Sequence, residues 1–156
     1  MKYKNYVLWI FLSLLAGILG SYFTTPAIPV WYASLNKPFF NPPSWIFGPV
    51  WTMLYILMGT AMAIIANIET KLSHIKNKAY ILFSLQLFLN FLWSILFFGL
   101  RSPLSAFIEI IILFTVIILT IVYFFKLSKT AAYLFFPYVL WVGFALILNA
   151  AIVMLN

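Results

Sequence analysis

Charged residues punctuate this chain so sparsely that the gaps between them read as membrane spans. No charge falls between Lys4 and Lys37, between Lys37 and Glu69, between Lys78 and Arg101, or after Lys129. Only Glu109 interrupts the stretch from Arg101 to Lys126. A helix needs roughly 20 mostly apolar residues to cross about 30 Å of hydrocarbon. The pattern therefore predicts an all-α integral membrane bundle of five transmembrane helices, at about 6–23, 45–67, 79–98, 104–125 and 131–154, forming one domain over 1–156. Pro26, Pro29, Pro38, Pro42 and Pro43 predict a structured loop over 24–44. Pro103 suits the first turn of the fourth helix, where a missing N–H costs little. Pro137 falls inside the fifth, where neighbours must satisfy the carbonyl it frees. Val, Ile and Phe are abundant, yet these runs are continuously apolar, whereas a membrane barrel alternates polar and apolar positions. Lys2 and Lys4 before an apolar run ending near Gly20-Ser21 also fit a secretory signal, but about 18 apolar residues are long for one. A retained first helix is the expectation.

Composition closes off the alternatives. Hydrophobic residues make up 66% of the chain and charged ones 7%, where a water-soluble domain carries about 25% charged residues. That excludes a soluble fold and a disordered chain alike. The formal charge of +7 comes from scattered residues, not from the patch or stripe that nucleic-acid binding requires. The absence of cysteine removes disulfides, thiolate metal sites and thiol nucleophiles. With five crossings, Lys2, Lys4, Lys71, Lys76, Lys78, Lys126 and Lys129 share one side, and the other holds Lys37 and Arg101. The excess of basic residues predicts a cytoplasmic N-terminus in a cell membrane of bacterial type, with the 24–44 loop and the C-terminus outside.

Polar side chains inside spans are costly and face the bundle interior or a cavity. Asn90, Glu109 and Asn149 all fall within roughly 12 Å of the outer interface at 1.5 Å per residue. Gln86 is deeper, one turn from Asn90 on the same face. Aromatics gather at the same level: Trp45 and Trp51 at the start of helix two, Trp93, Phe97 and Phe98 towards the end of helix three, and Trp141 near mid-depth on helix five. An aromatic-walled cavity with a few amides under a loop lid suits a flat, largely apolar ligand. Each residue also has a plainer reading. Trp31, Tyr32 and Trp45 suit interfacial anchors, and Asn90 and Asn149 suit hydrogen bonds between helices. Glu109 has Arg101, two turns earlier, as its expected ion-pair partner.

These residues lie in a recognisable order. Trp31-Tyr32-Ala33-Ser34-Leu35-Asn36-Lys37-Pro38 is followed by Asn41-Pro42-Pro43-Ser44-Trp45, then Phe47-Gly48-Pro49-Val50-Trp51, Leu54-Tyr55 and Met58-Gly59. This resembles the first loop and second helix of the translocator protein family, also called tryptophan-rich sensory proteins or peripheral-type benzodiazepine receptors. Gln86, Asn90, Trp93, Phe97-Phe98-Gly99 and Arg101 resemble its third helix. Ala131-Ala132, Pro137-Tyr138, Trp141, Ala145 and Leu148-Asn149 resemble its fifth. The resemblance implies a five-helix bundle, often dimeric, that binds porphyrins and, in some members, sterols and synthetic aromatics. Carried over by position, it implies a pocket lined by Trp45, Phe47, Trp51, Tyr55, Asn90, Trp93, Phe97, Trp141 and Ala145. Three positions depart from it. Phe39 and Phe40 stand where many members have a Trp, Ser105 where some have one at the start of helix four, and the C-terminal stretch from Asn149 lacks the Tyr and Arg or Lys of the animal sterol motif. Leu119, Tyr123 and Lys126 fit only a looser sterol pattern.

The leading expectation is a membrane protein that binds, and in an extended form transports, tetrapyrroles, with Trp31 in the lid and Lys37 and Arg101 beside the cavity as cations for ligand carboxylates. The alternative is an enzyme for light-dependent oxidative breakdown of bound porphyrin, as implied for bacterial relatives, with Trp51 and Trp141 as its redox-active indoles. A proton-coupled exporter using Glu109 ranks below both, because no internal repeat is evident. His74 sits in a Lys-rich loop and is expected to ligate neither haem nor metal, so no metal or resident cofactor is expected. Ala16-x-x-x-Gly20 and Gly59-x-x-x-Ala63 permit close helix packing, either in a homodimer or within one bundle. The remaining expected partner is membrane lipid.

Overall fold

A computed structural model describes residues 2–156. It is all-helical, and five of its helices or helix pairs are long and apolar enough to span a membrane. The first span is α1, Lys2–Ala27, continued by a wider π-helical turn over Ile28–Tyr32. A single 3-10 turn at Ser44–Ile46 leads into α2, Phe47–Asn67. The third is α3, Ser73–Ser94, ending in a second π-helical turn over Ile95–Gly99. The fourth is α4, Pro103–Phe125, and the fifth consists of α5, Lys129–Leu134, and α6, Phe136–Leu155. The end of the bundle carrying the N-terminus is called proximal below, and the opposite end, with the C-terminus, distal.

Two proline segments differ from the sequence expectation. Residues 24–32 are helical and lengthen the first span. Pro29 sits in the first turn of the π segment, where its missing N–H is not needed, and the wider i→i+5 spacing lets the chain continue, with Ala33 N–H reaching Ile28 O. The fifth span is not one kinked helix. It breaks at Phe135, and Pro137 falls in the first turn of α6, a position proline favours. Short bonds from Phe135 N–H to Ala132 O and from Val139 N–H to Phe135 O, each 3.0 Å, hold the break closed.

Termini are closed by side chains. Ser102 caps α4 by accepting from Ser105 N–H, and Ser128 caps α5 by accepting from Ala131 N–H. Lys76 donates to Ala66 O at 2.9 Å and Ile68 O at 2.7 Å, closing the C-terminal end of α2. Asn5 donates to Asn67 Oδ1 at 2.6 Å, pinning the start of α1 to the end of α2.

The proximal half is solid. Phe83, Phe124 and Phe135 are fully buried against one another, with centroid separations of 5.1 to 6.5 Å. Met58, Met62, Ile65, Ala61 and Ala79 fill the space around them with no exposure. Small residues set the helix spacing here: a Cβ on Gly59 would run into the backbone of Ile10 on α1. Further along α1, towards the distal end, Gly20 packs on the Ser94 hydroxyl of α3. Both small-xxx-small patterns therefore make contacts within the bundle.

Candidate functional site

In the distal half the same helices separate around a cavity of about 320 Å³. α1, α2, α3 and α6 supply its walls, and α4 contributes none of them. Of the residues expected from sequence, Phe47, Trp51, Tyr55, Asn90, Trp93, Phe97, Trp141 and Ala145 line this one space. Trp45 does not. It is 74% exposed and lies outside the cavity, because the 3-10 turn at Ser44–Ile46 directs Phe47 inward and Trp45 outward.

The aromatic wall is continuous. Trp93 stacks on Phe97 at 4.9 Å with planes 18° apart, and Phe97 meets Phe98 edge-on at 4.8 Å. The wider π turn lets the adjacent Phe97 and Phe98 both point inward, which a regular helical step would oppose. Phe47 reaches Trp141 at 6.2 Å, and Trp51 lies against Tyr55 at 5.6 Å. Trp31 stays outside the cavity and packs edge-on against Phe97 at 5.3 Å, backing the wall from the loop side.

Beneath the rings runs a chain of buried hydrogen bonds. Tyr55 donates to Asn90 Oδ1 at 2.5 Å, Asn90 Nδ2 donates to the Tyr138 hydroxyl at 3.0 Å, and Tyr138 donates to Gln86 Oε1 at 2.8 Å. This ties α2, α3 and α6 together at the cavity floor and fixes the Asn90 amide. Trp93 Nε1 donates to Asn149 Oδ1 at 3.1 Å, and Asn149 Nδ2 donates to Pro103 O at 2.9 Å. The polar side chains named here are each bonded to another helix, which gives a rigid surface, while Gln86 Nε2 stays buried without a partner among the described residues.

Two of the sequence-derived charge assignments need correction. Lys37 is not free to meet a ligand: its ammonium donates to Tyr32 O, Ala33 O and Leu35 O at 2.7 to 3.2 Å and lies 5.1 Å from the Tyr32 ring centroid. It closes the distal end of α1 instead. Arg101 and Glu109 do not pair. Glu109 is 5% exposed within α4, and neither carboxyl oxygen has a partner among the described residues. Arg101 precedes the α4 cap with φ 52, in the left-handed region, so helical spacing does not apply to it. His74 is exposed, and no cluster of His, Asp or Glu that could hold a metal occurs among the described residues.

The α1 wall is what the sequence reading missed. Gly17, Gly20, Ser21, Thr24 and Thr25 line the cavity, a small and hydroxyl-bearing stripe at helical spacing inside an apolar run. The Ser21 hydroxyl donates to Ile18 O at 2.7 Å, Thr24 to Gly20 O at 3.2 Å and, across on α2, Thr52 to Gly48 O at 2.9 Å. With their hydroxyls turned onto their own helices, these residues present an apolar face. Ser21, Thr25, Gly48 and Thr52 both line the cavity and are exposed. The cavity therefore reaches the lipid-facing surface through a slot between α1 and α2. Over the top, the loop is fastened down. Tyr32 donates to Asn41 Oδ1 at 2.5 Å, Asn36 N–H donates to Asn156 Oδ1 at 3.0 Å, and Asn156 Nδ2 donates back to Asn36 O at 2.9 Å.

Residues 9–155 match the TspO/MBR family. The chain is 49% identical over 141 residues to the tryptophan-rich protein TspO of Archaeoglobus fulgidus, covering 90% of this chain and 89% of that one. It is 44% identical over 145 residues to the tryptophan-rich protein TspO of Chlorobaculum tepidum, covering 93% and 91%. Similarity extends to the translocator protein of Bos taurus, at 36% identity over 138 residues, 86% of this chain and 80% of that one.

Proposed function

Because the chain belongs to the TspO/MBR family, we propose that its distal cavity binds tetrapyrroles such as protoporphyrin, taken from the surrounding lipid. The observation that carries this reading is the cavity itself: an aromatic wall of Phe47, Trp51, Trp93, Phe97 and Trp141 over an amide floor, open through the slot between α1 and α2. Flat π-systems stack or pack edge-on against such rings at about 0.5–1.5 kcal/mol per pair beyond simple burial. The volume lies at the lower end of the roughly 300–1,000 Å³ usual for ligand sites. A macrocycle would therefore seat one edge inside, beside Ala145, and leave its carboxylate-bearing edge in the slot at headgroup level. The solid proximal half supports holding and handing over a ligand within one leaflet, as against conducting it through the bundle. The N-terminus is proposed to face the cytoplasm, since seven of the nine basic residues lie at the proximal end.

The test is a protoporphyrin titration of the purified protein in micelles. Tryptophan quenching should saturate in the wild type, and Trp51→Ala and Trp141→Ala should each weaken binding roughly tenfold, the equivalent of about 1.4 kcal/mol. Unchanged affinity in both variants would overturn the assignment. The positions of Trp51 and Trp141 in the wall also favour a second reading, light-driven oxidative breakdown of the bound macrocycle. Illuminating the complex separates the two: a new product spectrum that depends on either indole supports the enzyme, and bleaching that matches free porphyrin supports binding alone.

A further inference from the structure

A groove lies on the outside of the bundle, across Phe98 from the cavity. At the distal end two cations stand on the chain, and one of them has no side-chain hydrogen bond or ion pair among the described residues. Lys37 is bonded to three carbonyls. Arg101 is exposed, and neither of the chain's two acids reaches it: Glu69 is in the proximal loop between α2 and α3, and the Glu109 oxygens are buried without partners. No carboxylate among the described residues pairs with it, so the guanidinium is free to take an anion from outside the protein.

The backbone fixes where this residue sits. Arg101 holds φ 52, a conformation free to glycine and costly for an L-side chain. The turn around it is closed by Leu100 N–H to Ile95 O at 2.7 Å and Ser102 N–H to Leu96 O at 3.0 Å. With Tyr22, Phe23 and Pro26 of α1 and Phe98 and Gly99 at the end of α3, Arg101 lines a groove of about 390 Å³. Gly99 lets the Phe23 ring come up as the floor, since a Cβ there would stand 3.0 Å from it. Tyr22 is 78% exposed, and at 1.5 Å per residue it lies about 30 Å along α1 from Lys2, one hydrocarbon thickness. With Lys2 at the proximal boundary, Tyr22 and Arg101 would sit at the distal headgroup level, with exposed Ile18 and Leu19 on α1 leading back into the hydrocarbon.

We propose that this groove binds an anionic phospholipid of the distal leaflet. The guanidinium takes the phosphate in a forked pair of hydrogen bonds, the geometry arginine offers and lysine does not. The Tyr22 hydroxyl is a second donor, and one acyl chain lies over Phe23 and along α1. The ligand class differs from that of the cavity, so this proposal stands or falls independently of the tetrapyrrole reading. Phe98 lines both spaces, so an occupied groove also supports the cavity wall from behind.

The test is native mass spectrometry of the full chain released from neutral detergent, titrated with phosphatidylglycerol and, separately, with phosphatidylcholine. Wild type should retain one phosphatidylglycerol about tenfold more tightly than Arg101→Gly does, and Arg101→Lys should fall between. Glycine takes φ 52 without strain, so Arg101→Gly should unfold no earlier than wild type; loss of lipid without loss of stability separates binding from folding. Tyr22→Ala, at an exposed residue, should weaken retention about threefold, the equivalent of losing one hydrogen bond of modest net strength. Equal retention by wild type and Arg101→Gly would overturn the proposal. So would displacement of the lipid by millimolar glycerol phosphate, which would make this a site for soluble anions. Weakened protoporphyrin binding with unchanged lipid retention in Arg101→Gly would also overturn it and assign the guanidinium to the cavity's ligand.

Discussion

The proximal and distal halves of the bundle are built from the same five spans, yet one is filled and the other hollow. At the proximal end, Gly59 brings α2 against the backbone of Ile10, and Phe83, Phe124 and Phe135 close the centre. At the distal end, Gly17 and Gly20 on α1 face Tyr55 and Ser94, and beyond them the helices part around the cavity. Glycine serves opposite ends here: in one half it draws two helices together, and in the other it leaves room beside a ring. The difference follows from what stands across from it. Where the partner is backbone, the helices touch. Where the partner is a side chain, as the hydrogen-bonded Tyr55 ring is for Gly17, the ring seats against the glycine and the two backbones stay apart. Packing in the proximal half thus anchors the helices that wall the distal cavity.

The largest expected effect comes from breaking the filled half. Gly59→Leu forces a side chain into the Ile10 backbone, and overpacking of this kind should cost about 3 kcal/mol or more. The check is the unfolding midpoint in a graded detergent series, where the variant should unfold well below the wild type. A much smaller perturbation addresses the hollow half. A Cβ on Gly48 meets nothing within 4 Å, so Gly48→Trp should fit the slot and leave stability within about 0.5 kcal/mol of wild type. With the slot plugged, the association rate of protoporphyrin in lipid nanodiscs should fall about tenfold. An unchanged rate would place the access route elsewhere, under the fastened loop.

Much of this was legible in the chain. Hydrocarbon tolerates so few charges that their absence alone marked five spans, and the buried amides Gln86, Asn90 and Asn149 followed from their cost in lipid. What the sequence concealed has local physical causes. Pro26 and Pro29 predict a break, but Pro26 is accommodated within α1 and a widened turn over Ile28–Tyr32 carries the helix past Pro29. Arg101 and Glu109 are two turns apart by count, yet Arg101 stands before the helix cap in a left-handed turn, so counting along one face does not join them. Trp45 and Phe47 are neighbours in sequence that a single 3-10 turn sends to opposite sides. The α1 wall was readable in principle: Gly17, Gly20, Ser21 and Thr24 recur at helical spacing. Lacking ring or charge, they carry no chemical signal of a site.

Each half contains a tryptophan that can be removed on its own. Trp9 packs on Tyr80 and Phe83 at 5.6 Å in the proximal half, and Trp51 lines the cavity in the distal half. The most direct measurement is the protoporphyrin dissociation constant, read from the ligand's own absorbance, for wild type, Trp9→Leu and Trp51→Leu side by side. Trp51→Leu should weaken binding about tenfold or more at nearly unchanged stability, and Trp9→Leu should lower the unfolding midpoint and leave the dissociation constant within about twofold. Equal losses of affinity in the two variants, or none in Trp51→Leu, would contradict a ligand site confined to the distal half.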